Sequence, residues 1–350
     1  MKAKSFAAPS PTKPLEYYEF ERREPTTTGV EISVHYCGVC HSDIHTARGD
    51  WGEITYPCIP GHEIVGIVSR VGSAVTKFKP GDRVGVGCMV NSCGKCEACQ
   101  RGLENSCFNG TVWTYSSKDP IDGSDTKGGY STIMVAPEHF VLNLPDNLEM
   151  SQAAPLLCAG ITTYSPLRHW KVGPGMKVGV IGLGGLGHMG VKYAKSFGAE
   201  VWVLTSTSEK ADAARSYGAT GVIVTKEKDE MDKYAHYFDF LLDTIPKGHD
   251  LAPYLQLLNV AGTICLVGPI EPMPGFHSGN VINGQKSIAG SGIGGIKETQ
   301  EMLEYSAKNN ILPEIELIDI KDINNAWDNL TKKHMAKRYV IDMRKSFTDK

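Results

Sequence analysis

No apolar stretch in this 350-residue sequence approaches the roughly 20 consecutive residues that a bilayer-crossing helix needs, so the pattern gives a membrane-spanning role no support. Positions 1–20 scatter Pro, Lys and Glu and lack the continuous apolar run of a signal peptide. A surplus of one charge is missing as well. The 36 Lys plus Arg stand against 39 Asp plus Glu, a net charge of -3, without the basic excess of a dedicated nucleic-acid binder. There are no internal repeats and no low-complexity segments, so neither a solenoid nor a disordered linker is expected. What remains is a chain that is 41% hydrophobic and long enough for two domains, each with a real core. A cytoplasmic location is expected.

Cysteine, by contrast, is plentiful. The ten stand at positions 37, 40, 58, 88, 93, 96, 99, 107, 158 and 265. Secreted disulfide scaffolds are far shorter than this chain. In a reducing compartment, clustered cysteines are more often metal ligands or catalytic groups.

The first 150 positions read as short strands and turns. Val30, Ile32 and Val34 alternate with polar residues as a half-buried strand does. Positions 64–71 and 83–86 are further β-like runs, punctuated by Pro60-Gly61, Pro80-Gly81 and Gly128-Gly129. Positions 150–167 read as a helix with Ser151 as its N-cap. From 175 to about 290 the texture alternates. Strands at 178–181, 201–204, 222–224, 240–242 and 263–267 are interleaved with helices at 189–197 and 209–217, the rhythm of a parallel sheet with helices on both faces. In the tail, Ile323, Ala326, Trp327 and Leu330 recur at helical spacing and 339–343 reads as a strand. That tail is too short for a large core of its own and is expected to contribute to the first domain.

The strongest local signal is Cys93-x2-Cys96-x2-Cys99-x7-Cys107. Four thiolates in so short a span enclose one tetrahedral zinc with no open position, which is a structural site. An iron–sulfur cluster also takes four cysteines, but the bacterial run ends in Cys-Pro, and Phe108 follows Cys107 here. A second constellation joins Cys40-His41-Ser42-Asp43 to Gly61-His62-Glu63 and, much later, to Cys158. Two cysteines, a histidine and a water form a known catalytic zinc set. Spacing alone does not join Cys158 to that group, since a single cysteine is also a common small core residue.

Val180-Ile181-Gly182-Leu183-Gly184-Gly185-Leu186-Gly187 fits G-x-G-x-x-G between an expected strand and an expected helix, the context that a dinucleotide fingerprint requires. The helix N-terminus offers N–H donors to a pyrophosphate. An NAD binder carries Asp or Glu about 20 residues on. Here that stretch is Leu204-Thr205-Ser206-Thr207-Ser208-Glu209-Lys210, whose hydroxyls and lysine suit a 2′-phosphate and favour NADP(H). Glu209 leaves NAD open, and Ser208 as a helix N-cap is compatible with either.

Together these motifs, with Gly38 to Asp43, Pro155 to Gly160 and Gly294 to Gln300, resemble the zinc-containing medium-chain alcohol dehydrogenases, specifically the cinnamyl alcohol dehydrogenase and broad aldehyde reductase branch. The resemblance covers nearly the whole chain. It implies an α/β protein with a GroES-like β-rich catalytic domain at 1–152, including a structural zinc lobe at about 88–110. A doubly wound NADP-binding Rossmann domain would be inserted at 153–290, and a return segment at 291–350 would complete the catalytic domain. It implies two zinc ions per chain: a catalytic one on Cys40, His62 and Cys158, with Glu63 as acidic neighbour or alternate ligand, and a structural one on Cys93, Cys96, Cys99 and Cys107. Asp43 would orient the zinc-bound histidine, and Ser42 and His45 would relay the proton. Thr162, Gly182, Gly184, Gly185, Leu186, Gly187 and Val267 would contact the cofactor, with Ser206, Thr207 and Lys210 on its 2′-phosphate. The implied reaction is reversible hydride transfer between NADPH and a small-molecule aldehyde, in a homodimer that engages neither nucleic acid nor membrane. Trp51 and Trp113 are candidate walls for an aromatic or medium aliphatic substrate. Two other readings stand beside it: an NAD-preferring zinc polyol or alcohol dehydrogenase, and a non-enzymatic NADPH-binding protein.

Overall fold

The alternation around position 32 becomes the strand Gly29–Gly38, in which Val30, Ile32 and Val34 are buried. This strand is the hub of a seven-stranded sheet. It pairs antiparallel with Ile64–Val71, Ile133–Pro137 and Arg338–Asp342. Arg83–Val86 and Leu142–Asn143 continue the sheet beyond Ile64–Val71, and Ile315–Ile318 flanks Arg338–Asp342. At an irregular stretch of this ladder Gly66 is required by close approach, because a Cβ there would lie 2.1 Å from the Ser33 carbonyl oxygen.

The computed structural model describes residues 1–268, 271–332 and 337–347. Its contacts divide the chain into two units, Met1–Cys158 with Gly294–Lys350, and Ala159–Ile293. In the first unit the helix Ile323–Lys332 buries Ile323, Ala326, Trp327 and Leu330, the four residues at helical spacing. Their side chains join one core with Ile32, Ile44, Ile64 and Tyr130. The last strand runs Arg338–Asp342, and Met343 already opens a short helix, Met343–Ser346. Asp342 ends the strand by accepting from the Arg344 N–H at 3.2 Å.

The expected single helix at 150–167 is in fact three pieces. Met150–Pro155 is α-helical, Leu156–Gly160 is a π turn, and Ile161–His169 is α-helical again. Ser151 is not the N-cap. That position is Glu149, and Ser151 lies in the first turn, donating to a Glu149 carboxylate oxygen at 3.3 Å. A π turn inserts an extra residue into the helical ladder and is frequent at functional sites. Cys158 lies in the middle of this one.

The second unit is a six-stranded, all-parallel sheet. Across the sheet the order is Gly221–Val224, Glu200–Thr205, Lys177–Ile181, Phe238–Asp243, Leu258–Leu266, Ser287–Gly290. Numbered along the chain this is 3-2-1-4-5-6, the doubly wound order. Its ligand crevice opens where the order reverses, at the carboxyl ends of Lys177–Ile181 and Phe238–Asp243.

Candidate metal and cofactor sites

The helix His41–Arg48 begins directly after Cys40. Asp43, in its first turn, reaches back to accept from the Cys40 N–H at 2.9 Å, satisfying a donor that the helix start leaves unpaired. The same buried carboxylate accepts from the Gly61 N–H at 3.0 Å, meets Nδ1 of His62 at 2.9 Å, and accepts from the Tyr130 hydroxyl at 3.1 Å. Asp43 thus fixes the His62 ring and leaves Nε2 as the ring nitrogen able to ligate. Gly61 takes φ +103°, and a Cβ there would sit 2.7 Å from the Tyr130 ring, so the turn before His62 is closed to any side chain.

Cys40, His62, Glu63 and Cys158 are all buried, and one ligand atom from each lies within 4.8 Å of the others. Spacing left Cys158 unassigned; the π turn delivers it to this cluster. The thiol of Cys40 is held well below its ordinary range, first by a hydrogen bond from Cys158, which outweighs burial, and then by His62. A helix start favours the thiolate as well. Burial alone would lower His62, but the charge of Asp43 carries it well above its usual value. Burial pushes Glu63 up to about 7 against the pull of Arg338. One Glu63 oxygen accepts from the Arg338 guanidinium, and the other, Oε2, is buried with no hydrogen-bond partner. Two sulfurs, one imidazole nitrogen and an unsatisfied carboxylate oxygen in a buried cluster fit a zinc ion.

The relay candidates flank this cluster. The Ser42 hydroxyl accepts from the Cys40 thiol at 3.6 Å. His45 lies three residues further along the same helix and is bound to Asp50 rather than to Ser42, with Nδ1 2.8 Å from Asp50 Oδ2. The Trp51 indole stacks on the His45 ring at 5.3 Å. Trp51 and Trp113 are both partly exposed. Asp50, Tyr130 and Arg338 were missed from the sequence. For Asp50 a signal existed, because Gly49 takes φ +76° at the helix end and folds Asp50 back on the last turn, its N–H on the His45 carbonyl at 3.0 Å.

The cysteine ladder folds into a compact lobe. Cys93, Cys96, Cys99 and Cys107 bring their four sulfurs within 4.8 Å of one another. Backbone N–H groups point at the sulfurs: Cys96 N–H at Cys93, Phe108 N–H at Cys96 and Cys93 N–H at Cys107, each at 3.4 Å. Hydrogen bonds from the Lys95 and Cys96 backbone bring Cys93 down to about 6. Four thiols with N–H donors aimed at them fit a closed structural zinc site. Glu104, inside the loop, ties the lobe down. Its buried carboxylate accepts from the Ile296 N–H at 3.1 Å, at the start of helix Ile296–Asn309, and meets His139 Nε2 at 2.8 Å.

In the parallel-sheet unit, Gly182 takes φ +90° directly after the strand Lys177–Ile181. A Cβ on Gly187 would lie 2.1 Å from the Gly182 carbonyl oxygen, whereas one on Gly184 would meet nothing within 4 Å. The turn is therefore tight on its inner side and open on the side of Gly184, ahead of helix Gly187–Ser196. This is the cradle that a pyrophosphate needs. Ser206 is exposed and Thr207 half-buried just past the strand Glu200–Thr205. Lys210 reaches back to donate to the Leu183 carbonyl at 3.2 Å. Glu209 is exposed. Val267 donates its N–H to the Asp243 carbonyl at 3.0 Å, and Thr162 is buried in the first turn of helix Ile161–His169.

Residues 26–146 match the alcohol dehydrogenase GroES-like domain and residues 185–308 the zinc-binding dehydrogenase domain. The chain belongs to the zinc-containing medium-chain alcohol dehydrogenases. Within that family it falls in the cinnamyl alcohol dehydrogenase and aldehyde reductase branch. It is 48% identical over 346 residues to the aldehyde reductase YahK of Escherichia coli K12, covering 98% of this chain and 99% of that one. The cinnamyl alcohol dehydrogenase SbCAD4 of Sorghum bicolor has a TM-score of 0.96 at 40% identity, with both chains fully covered. A cinnamyl alcohol dehydrogenase of Helicobacter pylori, solved as a complex with NADP(H), has a TM-score of 0.93 at 45% identity, with 99% of each chain covered. The GroES-like and Rossmann-type domains that the resemblance implied are the ones found.

Proposed function

We propose that the protein is a zinc-dependent, NADPH-preferring reductase that converts aldehydes reversibly to primary alcohols, with aromatic and medium aliphatic aldehydes as substrates. The observation that carries this reading is the buried Cys40, His62, Glu63 and Cys158 cluster with Asp43 holding His62 from behind. Cys40, His62 and Cys158 hold the catalytic zinc, Glu63 stands beside it, and Cys93, Cys96, Cys99 and Cys107 hold the structural zinc. Zinc supplies Lewis acidity toward a carbonyl oxygen, and NADPH supplies the hydride.

This chain's own residues do the rest. Asp43 fixes the tautomer and orientation of His62. The Ser42 hydroxyl both accepts and donates, so it passes a proton without changing charge. His45, an imidazole held by Asp50, is the group that exchanges that proton with solvent. In the parallel-sheet unit, the Gly182 to Gly187 turn receives the pyrophosphate, while Ser206, Thr207 and Lys210 bind the 2′-phosphate. The absence of an acid at 205–207 supports NADPH over NADH, and with it an aldehyde reductase over an NAD-preferring polyol dehydrogenase.

A reducing, cytoplasmic setting is in keeping with ten cysteines of which none is bridged. No helix among the described residues is long and apolar enough to cross a membrane. A homodimer is in keeping with the exposure of Val260 and Ile282, at 67% and 71%, in the unit that carries the parallel sheet.

The test pairs zinc analysis with benzaldehyde reduction using NADPH or NADH at equal concentration. Two zinc ions per chain and faster turnover with NADPH are expected. NADH preference would overturn the cofactor assignment and point at Glu209. One zinc and no turnover would overturn the catalytic site.

A further inference from the structure

Asp243 closes the strand Phe238–Asp243 and pairs in register with Ile181, the residue before the glycine-rich turn. Its side chain is fully buried. One carboxylate oxygen accepts from the Ile245 N–H at 3.1 Å, and the other lies 3.1 Å from Nε2 of His249. The opposite ring nitrogen of His249, Nδ1, lies 2.9 Å from the Lys247 carbonyl oxygen. Nε2 and the facing Asp243 oxygen are closed to solvent and meet as an ion-pair contact without an aligned hydrogen bond, and neither atom has a hydrogen-bond partner elsewhere.

Both groups facing the ring only accept. A neutral imidazole has one N–H, so whichever nitrogen lacks it aims a lone pair at an oxygen. Only the imidazolium, with two N–H groups, suits both contacts. The surroundings agree. The contact with Asp243 raises His249 above its usual value and outweighs burial, with help from the Lys247 carbonyl and Asp250. Tyr254, on helix Ala252–Leu257, stands edge-on to the ring at 5.7 Å. Cys265, on the neighbouring strand Leu258–Leu266, is pushed up to about 12, by burial first and then by Asp243. The cation of Lys247 is on the same segment, and Glu271 accepts from the Gly248 N–H at 3.1 Å.

The segment that His249 pins supports the cradle. Thr244 donates its N–H and its hydroxyl to the Ile181 carbonyl, at 3.0 and 2.7 Å. A Cβ on Gly182 would meet the Thr244 hydroxyl at 3.0 Å. The glycine-rich turn therefore rests on Thr244, and Thr244 follows directly on the carboxylate that His249 grips.

We propose that His249 is a positioning residue for the dinucleotide: as an imidazolium it hooks the segment 244–249 to Asp243 and holds the glycine-rich turn in the shape that receives the pyrophosphate. The inference rests on the reading that this turn binds the cofactor. Because the hooked state favours the proton, it is fully populated at low pH and is lost as pH rises through the raised value of His249. Apparent cofactor affinity then falls with the hooked fraction.

The test measures NADPH and NADH dissociation constants by cofactor fluorescence on the zinc-loaded protein, from about pH 6.5 upward through the range that a raised imidazole titrates. NADH has no 2′-phosphate, which removes that group's own titration. Both constants should weaken by about fivefold or more across the range, against the tenfold that one pKa unit represents. His249→Gln should bind weakly and without that slope. His249→Arg, charged throughout, should restore binding at high pH. A flat NADH profile in the unsubstituted protein, or the same slope in His249→Gln, would overturn the hook. Failure of either nucleotide to bind at any pH would overturn the cofactor reading itself and the inference with it.

Discussion

Nδ1 of His45 lies 2.8 Å from Asp50 Oδ2, on a chain turned back by Gly49 at φ +76°. The carboxylate fixes the ring through Nδ1, and in the proposed relay Nε2 would be the exchanging nitrogen. Asp50→Asn keeps the shape but replaces the carboxylate that holds the His45 ring with an amide. Turnover should fall about tenfold, less than the roughly hundredfold or more that loss of a general acid–base group itself costs, because the imidazole stays in place, while zinc content stays at two per chain. Steady-state rates and metal analysis on the same sample check this; an unchanged rate removes His45 from the relay.

Ser42→Ala deletes the hydroxyl beside Cys40 and no metal donor. We expect zinc binding to be retained and turnover to fall by about a hundredfold. Equal rates for Ser42→Ala and the unsubstituted protein would sink the relay.

Tyr130 supplies one of four donors to Asp43, and its own hydroxyl lies 3.5 Å from Trp327 Nε1. With Tyr130→Phe the Asp43 carboxylate is less restrained and His62 is held less firmly. Partners behind a ligand typically contribute ten- to a hundredfold in metal affinity. A loss of about tenfold for the zinc that Cys40 and His62 hold is expected in chelator competition, with the lobe zinc unaffected.

Cys96→Ser breaks the closed set of the lobe. Zinc should drop from two per chain to one, and the thermal midpoint should fall by about 5 °C or more, because structural metal binding is linked to folding. Glu104→Gln weakens the tie to Ile296 and His139 without removing a ligand, so it should lower the midpoint with both zinc ions retained.

Ser206→Asp places an acid where the ribose hydroxyls of NADH prefer one and where a 2′-phosphate is repelled. The ratio of kcat/KM for NADPH over NADH should fall by about a hundredfold, roughly 2.7 kcal/mol of discrimination. A ratio that does not move would shift the cofactor determinant away from this turn.

Local chemistry was legible in the sequence because the ladder from Cys93 to Cys107 and the turn from Gly182 to Gly187 are each written within a few positions. The alternation at Val30, Ile32 and Val34 and the helical spacing of Ile323, Ala326, Trp327 and Leu330 marked buried faces correctly. What was not legible came from long-range pairing. Tyr130 stands 87 positions from Asp43, and Arg338 stands 275 from Glu63. No periodicity records such contacts; Arg338 reaches Glu63 only when Arg338–Asp342 lies beside Gly29–Gly38. The helix expected at 150–167 failed for a different reason. Apolar spacing does not reveal an inserted π turn, and that turn is what carries Cys158 into the cluster.

The placement of Arg338 and Trp327 also bears on the order in which the protein is made. A chain emerging from the ribosome exposes Cys40, His62, Glu63 and Cys158 well before Trp327 and Arg338 appear. At that stage Glu63 lacks the cation that pairs with it, Tyr130 lacks Trp327, and the Tyr36–Gly38 end of the hub strand has an open edge. The cluster of candidate ligands thus acquires its full framework only once Arg338–Asp342 has been made, and a message truncated before that strand yields a protein that carries all four cluster residues and lacks the scaffold that holds them.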